Sequence, residues 1–272
     1  MSVSDNTPRA EIGVIGGSGF YELLTDAEEV HVSTPYGRPS DALMLGTVAG
    51  RRVAFLPRHG RGHRLPPHKI NYRANLWALR SLGVRQVLAP CAVGSLRREL
   101  GPGTIVVPDQ LVDRTSGRIQ TFYDEGAVHL SFADPYCEDG RQALLKAAAA
   151  TGIEAVDGGT MVVVEGPRFS TRAESQWFAA AGWSLVNMTG HPEAVLAREL
   201  ALGYAAVALV TDLDAGIDAA ESVAQEDVFK VFAENTERLR HLVLEAIGRL
   251  PETGGSSAAR ALDGLTLPFD LP

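Results

Sequence analysis

The segment Thr211-Asp212-Leu213-Asp214 follows a fully apolar run, Tyr204–Val210. Two carboxylates one residue apart at the end of a buried strand are costly unless partnered. Burial and mutual repulsion raise the pKa of at least one of them, which gives a proton donor near neutral pH. A surface turn carrying two aspartates is the structural alternative. A divalent-metal site is the other, but no third acidic ligand clusters nearby in sequence. Arg58-His59-Gly60-Arg61-Gly62-His63 also follows an apolar run. The Arg58 fork matches phosphate oxygens and His59 could add a donor, or the whole is a basic surface loop. The spacing of His59, His63 and His68 fits no zinc template, and no acidic ligand lies near them.

Three further segments sit at strand ends. Gly16-Gly17-Ser18-Gly19 forms either a tight structural turn or a turn whose amides and Ser18 hydroxyl approach an anion. It lacks the glycine spacing of the dinucleotide fingerprint. In Glu165-Gly166-Pro167-Arg168-Phe169-Ser170, Phe169 either stacks on a planar ligand or packs in the core. In Asn187-Met188-Thr189-Gly190-His191-Pro192-Glu193, Thr189 contacts an anion at a helix start or caps that helix. Taken together, anion-binding groups, a stacking aromatic and a carboxylate pair imply a flat nitrogen heterocycle and an oxyanion.

The elements that must position these residues alternate between strand and helix. Strands are predicted at Glu11–Gly17, Gln86–Val93, Thr104–Val107, Thr160–Glu165, Leu185–Met188 and Tyr204–Val210, with a hairpin over Ala42–Leu56. Helices are predicted at Asn71–Leu82, Arg141–Ala150, about Thr171–Ala180, Glu193–Leu200 and within Ala224–Leu250, the last packing one apolar stripe on the sheet. This is one α/β domain over residues 1–272, with a twisted mixed sheet flanked by helices. Residues 1–10 and about 251–262 are expected to be flexible, and Leu265–Pro272 to dock again.

The 272 residues include 25 Lys+Arg and 33 Asp+Glu, a net charge of −8. That sum argues against nucleic acid and anionic membranes. No apolar run reaches membrane-spanning length and Met1–Ala10 lacks a signal-peptide core, so a cytoplasmic protein is expected. Cys91 and Cys137 are too few for a disulfide framework or a four-thiolate metal site. The charge is unevenly spread: Ala42–Arg98 holds no acidic residue and eleven basic ones. Most of these would be a solvated face, and some should meet an anion.

Ile15–Gly19, Thr34–Ser40, Arg58-His59-Gly60, Asn71–Asn75, Gly94-Ser95-Leu96, Glu165–Ser170 and Asn187-Met188-Thr189, taken in this order, resemble the trimeric purine nucleoside phosphorylases. The closest likeness is to their S-methyl-5′-thioadenosine phosphorylase branch. The resemblance implies a single α/β domain assembled as a homotrimer, with inorganic phosphate as co-substrate, no cofactor and no metal. It implies attack of phosphate on C1′ of the nucleoside, releasing adenine and 5-methylthioribose 1-phosphate. Ser18, Arg58, His59, Thr189 and the position of Cys91 would hold phosphate. Asp212 would serve N7 of the purine, Asp214 its 6-amino group, Phe169 the base and Met188 the ribose. His129 would reach the neighbouring subunit's 5′ pocket. Cys91 departs from the branch's usual threonine, and a thiol is a weak donor. Gly190-His191 also departs from the usual small and apolar pair; His191 either binds a 5′-hydroxyl or simply starts a helix. Phosphorolysis of 6-oxopurine nucleosides or methylthioinosine, and noncatalytic nucleotide binding, are the alternatives.

Overall fold

The apolar runs that the sequence sets at regular intervals become strands because each can bury both faces. In β1 (Ile12–Gly16), Ile12 and Val14 point into one apolar layer and Ile15 into the opposite one. The computed structural model describes residues 10–17, 27–217, 223–252 and 258–272. Ser18 and the flexible stretches expected at 1–9 and 253–257 lie outside the described residues. The described flanks are held in place, since the Ala10 amide donates to Leu82 O and Ala258 is buried.

Eleven strands form one mixed sheet. The predicted hairpin is β3 (Leu43–Val48) and β4 (Arg51–Pro57), antiparallel around Ala49-Gly50. Helix α1 (Tyr72–Ser81) is capped by the Asn71 side chain accepting from the Ala74 amide, and it leads into β5 (Gln86–Ser95). The other expected elements are β6 (Ile105–Val107), α2 (Glu138–Thr151), β9 (Thr160–Val164), α3 (Arg172–Ala180), β10 (Leu185–Asn187), α4 (Gly190–Glu199), β11 (Gly203–Leu213) and α5 (Gln225–Arg249). Three strands went unforeseen: β2 (Glu28–Val30), β7 (Gln110–Arg114) and β8 (Ala155–Asp157). All three are short or polar, and pairing with a neighbour supplies what their composition lacks.

Helices α2 and α5 cover one face of the sheet, and α1 and α4 cover the other. Only the C-terminal half of α5 buries its stripe, through Leu239, Leu242, Val243, Ala246 and Ile247. The tail docks as expected: Phe269 packs 5.6 Å from the Trp77 ring and beside Phe122. No helix among the described residues is long and apolar enough to cross a membrane.

Strand β5 is where the sheet divides. Along one edge it pairs with β11 for its whole length. Along the other, Gln86–Leu88 pair with β1 and Gly94-Ser95 pair with β10. Residues 89–93 have neither neighbour on that edge, and a gap opens between the diverging strands. Ligands of open α/β sheets bind in such gaps, beyond the carboxyl ends of strands.

Close packing of α2 against β11 depends on Gly140, where an added Cβ would meet Ala205 Cβ at 2.6 Å. Alanine is the better helix former by about 1 kcal/mol, but overpacking a filled interface costs about 1–3 kcal/mol. Gly140→Ala should therefore lower the midpoint of urea denaturation. An unchanged or raised midpoint would show that the interface has slack.

Candidate active site

The gap beside β5 opens into a cavity of about 500 Å³, large enough for a nucleoside. Pro90–Gly94 form its floor. The carbonyls of Pro90 and Ala92 accept from Arg58 Nη1 (3.1 Å) and Asn187 Nδ2 (3.2 Å) across the open edge. A strand residue turns its N–H and C=O to the same edge, so the Ala92 amide also faces the gap. Proline offers none at position 90.

Arg58 is almost completely buried, 2% exposed. Its Nε and Nη2 close on the two oxygens of Glu193, each at 2.8 Å, and Nη2 also donates to Ile15 O. Glu193 accepts a further bond from Tyr204 Oη. With Pro90 O served as well, four of the five guanidinium hydrogens are used. The fork expected to grip an oxyanion is closed on a carboxylate, and one Nη1 hydrogen is left beside the cavity. Beside it, His59 donates from Nδ1 to Leu65 O (2.8 Å). Burial and the Arg58 charge push the ring's pKa down to about 3, so it is neutral. The donor that the sequence suggested His59 could offer is thus already engaged.

Thr189 precedes α4 at the N-cap position, yet its side chain makes no cap bond. Asn187 Oδ1 takes over that task, accepting from the amides of Thr189 and Gly190, each at 2.7 Å. The Thr189 hydroxyl lines the cavity, as do Met188 and Cys91. Burial pushes the Cys91 thiol up to about 12, so it is an uncharged, weak donor.

The aspartates sit where β11 carries a bulge. Val210 lies opposite Val93, but Asp212 lies opposite Gly94, with Thr211 as the extra residue. Val210 and Asp212, two apart, therefore oppose consecutive residues of β5 and face opposite sides. Val210 stays in the core and Asp212 is turned into the cavity. A Cβ on Gly94 would lie 3.1 Å from Asp212 Oδ1, so only glycine leaves the carboxylates this room. Burial, with a contribution from the Asp214 charge, raises the Asp212 pKa to about 6 against the Thr211 hydroxyl bond. Burial raises Asp214 as well. The Ser170 and Ser175 hydroxyls offset part of that rise, yet neither closes a well-formed bond. Ser170 Oγ, Ser175 Oγ and Asp214 Oδ2 all stay buried without a hydrogen-bond partner.

Phe169 lines the cavity half-buried rather than joining the core. The opposite wall is the N-terminal half of α5, where Val228, Phe229 and Phe232 face the same space. Sequence reasoning had assigned this whole helix to the sheet. The arrangement is an anion cradle, a carboxylate pair and an apolar lid around one cavity.

The Phosphorylase superfamily model matches residues 11–248. The chain belongs to that superfamily. It is similar to the purine nucleoside phosphorylase of Streptomyces coelicolor, 61% identical over 98% of this chain and 99% of that one. It is 60% identical to the S-methyl-5′-thioadenosine phosphorylase of Mycolicibacterium smegmatis, covering 96% of this chain and 99% of the relative. A crystal structure of methylthioadenosine phosphorylase from an antarctic soil metagenomic library superposes with a TM-score of 0.89 at 41% identity, covering 94% and 92% of the two chains. Within the superfamily the chain stands in the methylthioadenosine phosphorylase branch.

Two expected residues of this phosphorylase lie apart from the cavity lining. His191 is buried against β7, with Nε2 2.7 Å from Gln120 Oε1 and 3.2 Å from Asp113 Oδ2. It is no plain helix start, since its own φ and ψ are −117° and 132°. His129 is exposed and does not line the cavity of its own chain. One residue was missed altogether. Arg118 donates to Met188 O, His191 O and Glu165 O and ties the two ligand-facing loops together. No local motif marks it, because its partners are 46 to 73 residues away. Among the described residues no cluster of three His, Cys, Asp or Glu could hold a metal.

Removing one partner of a buried ion pair leaves the other charge without compensation, at about 3–5 kcal/mol. Glu193→Ala should lose stability on that scale in urea denaturation. A loss below about 1 kcal/mol would mean that water or another group reaches Arg58.

Proposed function

We propose that this phosphorylase cleaves S-methyl-5′-thioadenosine with inorganic phosphate, yielding adenine and 5-methylthioribose 1-phosphate. The observation that carries the reading is Asp212. It is a cavity carboxyl raised to about 6, and it shares the cavity with Arg58, Thr189 and the Ala92 amide. Phosphate held by those donors attacks C1′ as the glycosidic bond breaks. The electron pair of that bond passes to the purine, which leaves more easily when Asp212 shares a proton with N7. Asp214 accepts from the 6-amino group, Phe169 packs on the base and Met188 lies against the ribose. Val228, Phe229 and Phe232 present an apolar wall suited to a methylthio group rather than a hydroxyl. The M. smegmatis relative bears the name of this activity.

A second reading, phosphorolysis of 6-oxopurine nucleosides, is favoured by the similarity to the S. coelicolor purine nucleoside phosphorylase. The carboxylates weigh against it, because an ionised oxygen accepts from a 6-amino group and repels a 6-oxo group. The proposal extends to a homotrimer in which His129 serves a neighbouring subunit. It also includes a cytoplasmic setting, small-molecule substrates alone and no cofactor beyond the co-substrate phosphate.

Adenine release from methylthioadenosine should require phosphate and should exceed turnover of inosine or methylthioinosine. Absence of phosphate dependence would overturn the enzyme reading, and faster release of hypoxanthine would overturn the adenine assignment. Asp212→Asn should move the substrate ratio toward 6-oxopurines, and an unchanged ratio would refute the role given to Asp212. The same variant carries a stability prediction. The folded-state pKa of Asp212 lies above the ordinary carboxylate value, so ionisation costs stability as pH rises toward and past about 6. Asp212→Asn should therefore be the more stable protein at pH 8, by on the order of 2 kcal/mol, with no advantage near pH 4. Denaturant midpoints at the two pH values check the sign.

A further inference from the structure

His59 has one nitrogen committed and one free. Its Nδ1 lies 2.8 Å from Leu65 O, and a carbonyl oxygen can only accept, so the proton of that bond is on Nδ1. The ring is neutral, since burial and the neighbouring Arg58 and His63 disfavour a second proton. The His63 ring stacks on it at 4.1 Å and 14°, which fixes the plane of the imidazole. Nε2 is therefore a lone pair. Among the described residues it has no hydrogen-bond partner, and it is not among their buried unpartnered atoms. His59 lines the cavity, and Nε2 is the polar atom of its side chain that Leu65 leaves uncommitted.

His59 follows Arg58, whose amide donates at 2.8 Å to the carbonyl of Gly16 at the end of β1. The spare Nη1 hydrogen of Arg58 and the Ala92 amide are donors, while the Thr189 hydroxyl points its hydrogen to Asn187 Oδ1 at 3.3 Å. A bare anionic oxygen suits the two N–H groups and is repelled by the histidine nitrogen. An oxygen bearing a hydrogen suits the histidine instead.

We propose that His59 reads the proton of the incoming anion, accepting a hydrogen bond from the P–OH of the hydrogen phosphate dianion and making the site selective for tetrahedral dianions that carry a hydroxyl. The inference rests on the phosphorolysis reading above. It gives His59 no proton to move. The hydroxyl stays on phosphorus while one of the three bare oxygens attacks C1′ and the others meet the donors. A ribose hydroxyl is the other O–H that could serve the same lone pair, and the choice of probe separates the two.

Monofluorophosphate is the decisive probe, because it keeps the shape and charge of hydrogen phosphate and replaces its O–H by fluorine. Sulfate is a second dianion without a proton, and arsenate a second with one. In methylthioadenosine phosphorolysis at pH 8, arsenate should replace phosphate as nucleophile. Monofluorophosphate and sulfate should compete with phosphate at least about 100-fold more weakly than phosphate binds, as expected where a site's polar group is left unpaired. In His59→Gln, whose amide can turn its N–H outward, that ratio should fall below about 10-fold even if turnover drops. Should that variant not fold, His59→Asn carries the same comparison. Equal binding of monofluorophosphate and phosphate to the unaltered enzyme would overturn the inference and leave a ribose hydroxyl as the partner of His59. Undiminished discrimination in the variants would also overturn it, because another group would then be reading the proton. Failure of the parent reading looks different: no phosphate-dependent adenine release at all.

Discussion

The buried pairing of Arg58 with Glu193 is the constraint around which the site is built. The Arg58 guanidinium, just past the end of β4, joins the end of β1 and the middle of β5 to the first turn of α4, and Tyr204 extends the tie to β11. Burying a charge pair gains little net stability, because desolvation cancels most of the Coulomb attraction. What the pair supplies is position. With four hydrogens of Arg58 spent on named acceptors, the strand ends bordering the cavity cannot shift independently. The gap beside residues 89–93 of β5 keeps its width for the same reason.

The uneven charge of the chain has its explanation in pairing. Several basic residues of the acid-free stretch find counter-charges outside it. Arg51 pairs with Glu11, Arg58 with Glu193, Arg61 with Glu29, Arg73 with Asp124 and Arg97 with Glu99. Of these, Arg58–Glu193 is the fully buried pair, and the more exposed ones each contribute only about 0–1 kcal/mol. Part of the basic stretch is thus one half of a set of pairings, of which Arg58–Glu193 and Arg73–Asp124 bring the first third of the chain against the rest.

Much of the fold was legible because apolar period and stop signals are local. The β3–β4 hairpin, α1 with its Asn71 cap and the apolar run of β11 follow from neighbouring residues alone. The site was legible as a set of residue types, since Arg58, Phe169, Thr189, Asp212 and Asp214 do converge on one cavity. Their roles were less legible, because roles depend on partners distant in sequence. Nothing near Arg58 announces Glu193, 135 residues away, and no sequence pattern shows that Leu65 O accepts a hydrogen bond from His59 Nδ1. The bulge at Thr211 is invisible for a related reason. A strict alternation would place Asp212 on the side of Val210, and only the register against Gly94 reveals the turn into the cavity. For His191 the sequence left ligand contact and helix start both open, and its partners Asp113 and Gln120 lie 71 to 78 residues away.

These partners leave the buried cation of the cavity already paired, and Arg64, the other arginine of the lining, pairs with Asp41 at 3.5 Å; on the proposed reading a dianion binds among them. Arg58 is neutralised by Glu193, His59 is held neutral at about 3, and the Cys91 thiol is held neutral at about 12. The attraction must then come from oriented N–H and O–H groups fixed before the ligand arrives, which act strongly where water is excluded. A site of free charges ranks anions by net charge. A site of fixed dipoles ranks them by which oxygen carries a hydrogen, because each donor or lone pair has one acceptable partner. Such a cradle can stand beside a carboxyl poised near 6 without trapping it as a permanent anion. A nearby free cation would pull the Asp212 pKa down and remove the proton that the departing purine needs. On the proposed reading, the pairing that closes Arg58 serves both ends of the cavity, since an oxyanion is held by geometry and Asp212 stays able to share a proton.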